Sequence, residues 1–497
     1  VYNPSTLEER LLGEAPPESF VKYLKEHKVS PMSVGRVIVA TWEPHQHIVL
    51  EAIKEFGIER QVIFNKGAVM VLPAGINKAR GLSSVLKELN FSLHNVVAAG
   101  DAENDSAMLQ AAECAVAVQN ALPALKETAD LVTVGDHGDG IIELVNQLLK
   151  DDMAGVSGKL NRHHLSMGKK FDGTEYNIQP YRDGILLAGT SGGGKSTRTT
   201  FFLETLIAKS YQFCLVDPEG DYNELKGAVT LGDAEHVPVL EEVIKLLKNP
   251  AQNVVVNTLA IPLPDRPHFF NKLLAAMLEL RTNLGHPHWF IFDEAHHLIP
   301  ASAEDSFFNI PKDLNNFLLV TTEPDLVNQS IIDHVNLLIA IGDEPADILN
   351  KYAALKKLPS HESIKTLNKG EAWIWESDNG EPFPIRCERP QQLLRRHKKK
   401  YAAGDMQDNS FYFTGPNKKL NLRANNLVMF IQMAEGVDDD TWMYHLGKKE
   451  YSDWFRNAIH DDELADLAVK IEENETDPAK SRDAILHLIK ERYTAPA

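Results

Sequence analysis

Gly189-Thr190-Ser191-Gly192-Gly193-Gly194-Lys195-Ser196 has the spacing G-x-x-x-x-G-K-[ST], and its flanks decide what that spacing means. The apolar run Ile185-Leu186-Leu187-Ala188 before it predicts a buried strand. Thr197 through Ala208 after it carries apolar residues at helical spacing. Strand, glycine-rich loop and helix in that order form a phosphate cradle: backbone N–H groups and the helix N-terminus face the β-phosphate. Lys195 is expected to reach the β- and γ-phosphates, and the Ser196 hydroxyl to bind magnesium, with Thr197 completing the nucleotide-binding stretch.

A second run, Trp289-Phe290-Ile291-Phe292, ends in Asp293-Glu294. A buried parallel strand ending in two carboxylates supplies one acid to hold magnesium and one to orient or deprotonate a water. Asp293 is assigned to the metal and Glu294 to the water, about a hundred residues after the phosphate loop.

These residues resemble the HerA/FtsK-type branch of P-loop ATPases. The likeness rests also on Cys214-Leu215-Val216-Asp217-Pro218-Glu219-Gly220-Asp221-Tyr222 and Asp293-Glu294-Ala295-His296-His297-Leu298, and spans about Gly184 to Ala353. It implies a RecA-like α/β domain that uses ATP and Mg2+. After Phe317-Leu318-Leu319-Val320 come Thr321-Thr322-Glu323-Pro324, where this branch carries a polar sensor, often Thr-Gln. Glu323 stands in place of the Gln, and Thr322 is the sensor candidate. The branch generally completes its site with an arginine from a neighbouring subunit, which implies a homo-oligomer. Arg281 and Arg198 are the candidates, each with a surface ion pair as the alternative role.

Upstream, Val96-Val97-Ala98-Ala99-Gly100-Asp101-Ala102-Glu103-Asn104-Asp105 resembles the acidic G-D-x-x-N-D motif of haloacid dehalogenase-type phosphatases of the Cof/IIB-like kind. A turn after a buried strand can aim two hard oxygen ligands at one cation. Asp101 and Asp105 are the metal candidates, with Asn104 in support. Lys78, in Gly75-Ile76-Asn77-Lys78, matches the family's charge-balancing lysine. The likeness continues through Val116–Ala121, Ala129–Thr133 and His137–Gly140, and covers about Gly35 to Leu149. It implies a partial Rossmannoid domain acting on or sensing a small phosphorylated compound. The family also needs an Asp-x-Asp nucleophile on its first strand, and no Asp-x-Asp occurs before Asp101. The chain opens without an initiator Met, and the residues ahead of Lys78 resemble the end of a cap domain. The expectation is an N-terminally truncated phosphatase that, as given, lacks its covalent nucleophile.

Length gives a prior of about three domains. The boundaries expected are 1–150 (haloacid dehalogenase-like), 160–390 (ATPase) and 401–497 (helical). Met153 to Gly158 is expected as a flexible connection, and the polar segment from His163 to Arg182 as edge strands or a small β insertion. The last unit takes its helical pattern from Leu427-Val428-Met429-Phe430-Ile431 and an acidic start at Asp439-Asp440. Trp442, Tyr444, Leu446, Tyr451, Trp454 and Phe455 are expected in its core. It resembles a domain that ends bacterial proteins pairing a phosphatase-like part with a P-loop ATPase.

No run of about eighteen apolar residues occurs, so no membrane span is expected. Cys114, Cys214 and Cys387 read as buried thiols of a reducing, cytoplasmic compartment. His163-His164 and His296-His297 are adjacent pairs whose rings diverge and have no third ligand in view, which favours supporting or surface roles. A net charge of −19 requires any nucleic-acid partner to meet a concentrated basic surface, and the run Arg395-Arg396-His397-Lys398-Lys399-Lys400 reads as a solvated linker first. The leading function is ATP binding and hydrolysis, a cycle that moves or gates something, fused to a magnesium-dependent phosphatase-like part that acts on or senses a small phosphorylated compound. The alternatives are an ATP-dependent nucleic-acid motor and an ATP-gated switch with little turnover.

Overall fold

The structure, a computed structural model, describes residues 1–182, 184–361, 364–378, 380–391, 410–459 and 461–493. The basic run at 395–400 lies outside the described residues. The chain forms two compact units, the first of 1–220 and 227–390, the second of 221–226 and the described part of 391–497.

The first unit opens on a short antiparallel ribbon, Tyr2–Asn3 (β1) with Glu8–Glu9 (β2). Ser33–Val34 (β3), Val39–Trp42 (β4), Arg60–Asn65 (β5) and Ala68–Pro73 (β6) then make an antiparallel sheet in the order β3-β4-β6-β5. Asn65 pairs with Ala68, so β5 and β6 turn through Lys66-Gly67 alone. Both turn residues have positive φ, 48° and 90°, as a tight hairpin of this hand requires. Three parallel strands follow: Val97–Gly100 (β7), Cys114–Ala117 (β8) and Leu131–Val132 (β9). The helix His137–Asp151 closes this part. The expected flexible connection after it is instead a 3-10 turn, Ala154–Lys159. Met153, Val156 and Leu160 are buried there with Cys114, Val116 and Leu144, and that apolar burial holds the segment against the β8 sheet.

An eleven-stranded sheet dominates the unit. Its strands are Leu165–Lys170 (β10), Glu175–Ile178 (β11), Gly184–Gly189 (β12), Phe213–Asp217 (β13), Ala228–Leu231 (β14), Asn253–Asn257 (β15), Trp289–Phe292 (β16), Phe317–Thr321 (β17), Val335–Ile341 (β18), Glu371–Glu376 (β19) and Phe383–Arg386 (β20). Their order is β11-β10-β20-β19-β18-β12-β17-β16-β13-β15-β14. From β18 to β14 the pairing is parallel, and β12, β13, β15, β16 and β17 are buried at every position. Helices cover both faces of such a sheet, which is why these strands read as unbroken apolar runs. β10 and β11 extend one edge antiparallel, as the polar segment after His163 predicts.

The second unit is helical around one hairpin, Phe411–Phe413 (β21) with Leu422–Ala424 (β22). Asn426 and Asp438 start the helices Leu427–Gly436 and Asp439–Gly447, accepting from the Met429 and Thr441 N–H groups at 2.8 Å each. Trp442, Leu446, Tyr451, Trp454 and Phe455 are core residues, with Trp442 stacked on Tyr451 at 4.3 Å. Tyr444 is half-buried, and the Lys448 ammonium lies over its ring.

A Cβ at Gly184, the first residue of β12, would fall inside the Phe317 ring of β17. Gly184→Ala is therefore expected to destabilise the first unit by about 1–3 kcal/mol through overpacking. Thermal unfolding read from tryptophan fluorescence should show the first transition several degrees lower, and an unchanged midpoint would contradict the packing described.

Candidate functional site

In a parallel sheet every strand ends on the same edge, so sequence-distant loops meet there. The loop after β12, the acids after β16 and the turn after β13 all open onto that edge, with β17 running between β12 and β16. Gly192 and Gly194 have φ of 80° and 100°, which glycine adopts without strain. A Cβ on Gly193 would lie 3.0 Å from the Thr190 carbonyl and 3.1 Å from Gly342, so the loop seats closely on the backbone after β18. Ser191 at the tip is exposed; Ser196 and Thr197 in the first helical turn are half-buried. Lys195 begins the helix Lys195–Ala208, and its buried ammonium donates to the Gly189 and Thr190 carbonyls at 3.0 and 3.3 Å.

Asp293 and Glu294 are both buried. Glu294 has φ 42°, a left-handed conformation uncommon for a residue with a Cβ and more frequent at functional sites. His296 Nδ1 lies 3.0 Å from the Thr321 hydroxyl and 3.6 Å from the Glu294 carboxylate. Burial holds the His296 pKa below its ordinary value, helped by His297 and by the Lys195 ammonium. Lys195, Glu294 and His296 thus share one electrostatic neighbourhood. The Asp217 carboxylate, buried at the end of β13, accepts from the Glu219 and Gly220 N–H groups at 3.2 and 2.8 Å and fixes the acidic turn beside them.

Three expectations change. The hydroxyl that His296 Nδ1 meets, at 3.0 Å, is that of Thr321, one residue before Thr322. Thr321 is the last residue of β17 and fully buried, and successive residues of an extended chain face opposite sides. Arg281 donates to the carbonyls of Pro287 at 2.9 Å, Asn315 at 2.9 Å and His288 at 3.2 Å, and its guanidinium stacks 3.6 Å from the Phe290 centroid. Pro287 and His288 lie just before the start of β16 and Asn315 just before β17, the end opposite the glycine-rich loop, so Arg281 is a structural cation. Arg198 is buried, donates to the Met167 carbonyl and lies over Phe201, which removes it from any subunit surface.

The second acidic cluster follows β7. Asp105 is buried, and its Oδ2 accepts from the Asp101 and Ala102 N–H groups at 3.1 and 3.3 Å, while Lys78 donates to Oδ1. A Cβ on Gly100 would come within 2.5 Å of the Asp105 side chain, so only glycine admits this turn. Asp101 Oδ2 accepts from Lys66 Nζ at 2.5 Å and from Asn120 at 3.3 Å. The Lys66 hydrogen bond, against a smaller effect of burial, holds the Asp101 pKa below its ordinary value. Asn104 is half-buried between the two acids in sequence. Two carboxylates on one turn suit a hard cation, which would compete with the two ammonium groups. Lys66 is the residue that motif reading misses; the Lys-Gly hairpin tip was its one sequence signal.

Residues 15–145 match the family of haloacid dehalogenase-like hydrolases, so a domain of that kind occupies the N-terminal part. The chain is 35% identical over 118 residues to phosphoglycolate phosphatase 2 of Saccharolobus solfataricus, covering 24% of this chain and 49% of that protein. It is 44% identical over 71 residues to the 5-amino-6-(5-phospho-D-ribitylamino)uracil phosphatase YcsE of Bacillus subtilis, 14% of this chain and 28% of that one. The chain spans about half the length, or less, of these curated relatives. Among solved structures it is similar to the genome packaging NTPase B204 of Sulfolobus turreted icosahedral virus 2, in complex with ATP-gammaS. That match has 16% identity and a TM-score of 0.31, over 42% of this chain and 99% of that one. No helix among the described residues is long and apolar enough to cross a membrane.

The two lysines on the acidic turn are not equivalent. Lys78→Ala leaves a buried carboxylate without its cation and is expected to cost about 1–3 kcal/mol. Lys66→Ala breaks a more exposed pair and is expected to cost less than about 1 kcal/mol. Urea midpoints without divalent cations check this ranking, and equal midpoints would overturn it.

Proposed function

We propose that the chain binds ATP with magnesium at the edge where β12 and β16 end and hydrolyses it, and that its haloacid dehalogenase-like domain acts on or senses a small phosphorylated compound. The observation that carries the first half is the convergence of Lys195, at a helix N-terminus behind a glycine-rich loop, with a buried carboxylate pair across one strand.

The loop N–H groups and the helix N-terminus bind the phosphates, and Lys195 exchanges its two carbonyl partners for β- and γ-phosphate oxygens. Ser196 and Asp293 would hold a magnesium ion, which would neutralise charge on the transferring phosphoryl group. Glu294 orients the attacking water and accepts its proton. The left-handed backbone sets the direction of that side chain, and the His296 ring lies 3.6 Å from its carboxylate. Thr321 holds the His296 ring from the end of β17.

In the N-terminal domain Asp101 and Asp105 would supply two oxygen ligands for magnesium, with Asn104 beside them, and Lys66 and Lys78 would balance charge around a bound phosphate. Asp101 is the first aspartate of the sequence, so residues 1–100 hold no carboxylate of the kind that attacks phosphorus in this family. Electrostatic stabilisation does not replace an in-line nucleophile.

Lys195→Ala is expected to abolish MgATP binding in isothermal titration. Glu294→Gln should retain binding while slowing phosphate release about 10²–10⁴-fold, the range for loss of a general base. Full turnover in both variants would refute the site. For the N-terminal domain, the 497 residues carrying Lys195→Ala should release no phosphate from p-nitrophenyl phosphate or a panel of sugar phosphates with magnesium. Release that disappears on Asp101→Ala would show that the nucleophile is elsewhere in these residues.

A further inference from the structure

The acids after β16 and the acidic turn after β7 leave a partly buried group of titratable side chains unexplained. His94 lies in the turn Leu93–Asn95 before β7, Glu113 directly before β8, and His163 in the turn Asn161–His163 before β10. One donor atom from each lies within 4.8 Å of the other two, and Glu113 is buried. We propose that His94, Glu113 and His163 bind one divalent transition-metal ion of the zinc class, at the seam between the β7-β8-β9 sheet and the eleven-stranded sheet. This rests on neither nucleotide binding nor phosphate release.

The hydrogen-bond pattern supports it. His94 Nε2 lies 2.8 Å from the Lys209 carbonyl, which can only accept, so Nε2 carries a hydrogen and Nδ1 presents the lone pair. That Nδ1 lies 2.6 Å from Glu113 Oε2. Two electron-pair donors at this distance need a cation between them, either a second proton or a metal. The other carboxylate oxygen accepts from the Tyr211 hydroxyl at 2.9 Å, and Tyr211 stacks on His94 with centroids 3.8 Å apart. A ring N–H held by a backbone carbonyl and a carboxylate held by a hydroxyl are how metal ligands are oriented from behind.

His163 decides between proton and metal. Its Nδ1 lies 3.6 Å from Glu113 Oε2, beyond a hydrogen bond, so no proton is shared between these two. A proton shared by His94 and Glu113 gives His163 no role, whereas a metal uses all three. Zinc bonds of about 2.0–2.1 Å in tetrahedral geometry set ligand atoms roughly 3.3 Å apart. The Glu113–His163 separation is already close to that value, and the His94–Glu113 pair need open by less than about 1 Å. Two imidazoles with one carboxylate favour zinc over magnesium.

Lys209 caps the C-terminus of the Lys195–Ala208 helix. The cluster therefore sits at the far end of the helix that begins at the phosphate loop. A cation is favoured there by the helix dipole.

The test uses the 497-residue chain, stripped with chelator and titrated with Co2+ in excess Mg2+, which fills the oxygen-ligand sites. The expected result is one equivalent of cobalt with visible absorption bands of nitrogen coordination, displaced by Zn2+. His163→Ala and Tyr211→Phe, folded by circular dichroism, should each weaken binding about tenfold or more, and Asp101→Asn should not. A wild-type chain without visible bands, or bands that persist unchanged in both His163→Ala and His94→Ala, overturns the proposal and leaves a proton-held cluster.

Discussion

Parallel hydrogen bonding from β18 through β14 is the constraint on which the rest of the first unit depends. It buries strands on both faces and so demands apolar residues along β12, β13, β15, β16 and β17. It also points every strand end the same way. Polar residues that the sheet interior excludes collect on one edge: the glycine-rich loop, Asp217, Asp293-Glu294 and Thr321 each follow or end a buried strand. Grouping them costs little fold specificity, because the apolar runs set the sheet and the strand ends inherit the chemistry.

What was legible in the sequence was local. Gly189–Ser196 and Gly100–Asp105 are single turns whose chemistry and backbone demands are written in consecutive residues, and the eleven-stranded sheet declares itself in apolar runs. What was not legible required distance. Lys66 reaches Asp101 across the tip of a hairpin, 35 residues away. Arg281 looks like any helix arginine until the carbonyls of Pro287, His288 and Asn315 are seen to claim it. Thr321 and Thr322 differ by one residue, and only the exact end of β17 says which is turned inward. The pair His163-His164 lacked a third ligand because Glu113 and His94 approach it through the fold, not along the chain.

The seam between the two sheets is polar as well as apolar. Arg162 donates to both Asp130 oxygens, at 2.6 and 3.1 Å, and to the Gln110 and Ala112 carbonyls, at 3.0 and 3.1 Å. His286 bridges Gln212 and the Asn90 carbonyl at 2.6 and 2.8 Å, and Asn95 donates to the Gly285 carbonyl at 2.9 Å. Hydrogen bonds fix orientation more strictly than apolar contact does, so the hydrolase-like domain is held against the larger sheet in one register.

The antiparallel edge of the large sheet joins its beginning to its end. β10, near residue 165, pairs with β20, near residue 386, and the Tyr176 hydroxyl donates to Glu376, 200 positions along the chain, at 2.5 Å. During synthesis, β10 and β11 emerge long before the strands that cover them. A nascent chain therefore carries an uncovered strand edge for about 10–40 s at ordinary elongation rates. Such an edge invites pairing with a neighbouring chain on the same messenger. Lys169 and Lys170 on β10, and Glu175 on β11, give that waiting hairpin a charged rim, and charge on an edge is a known deterrent to aggregation.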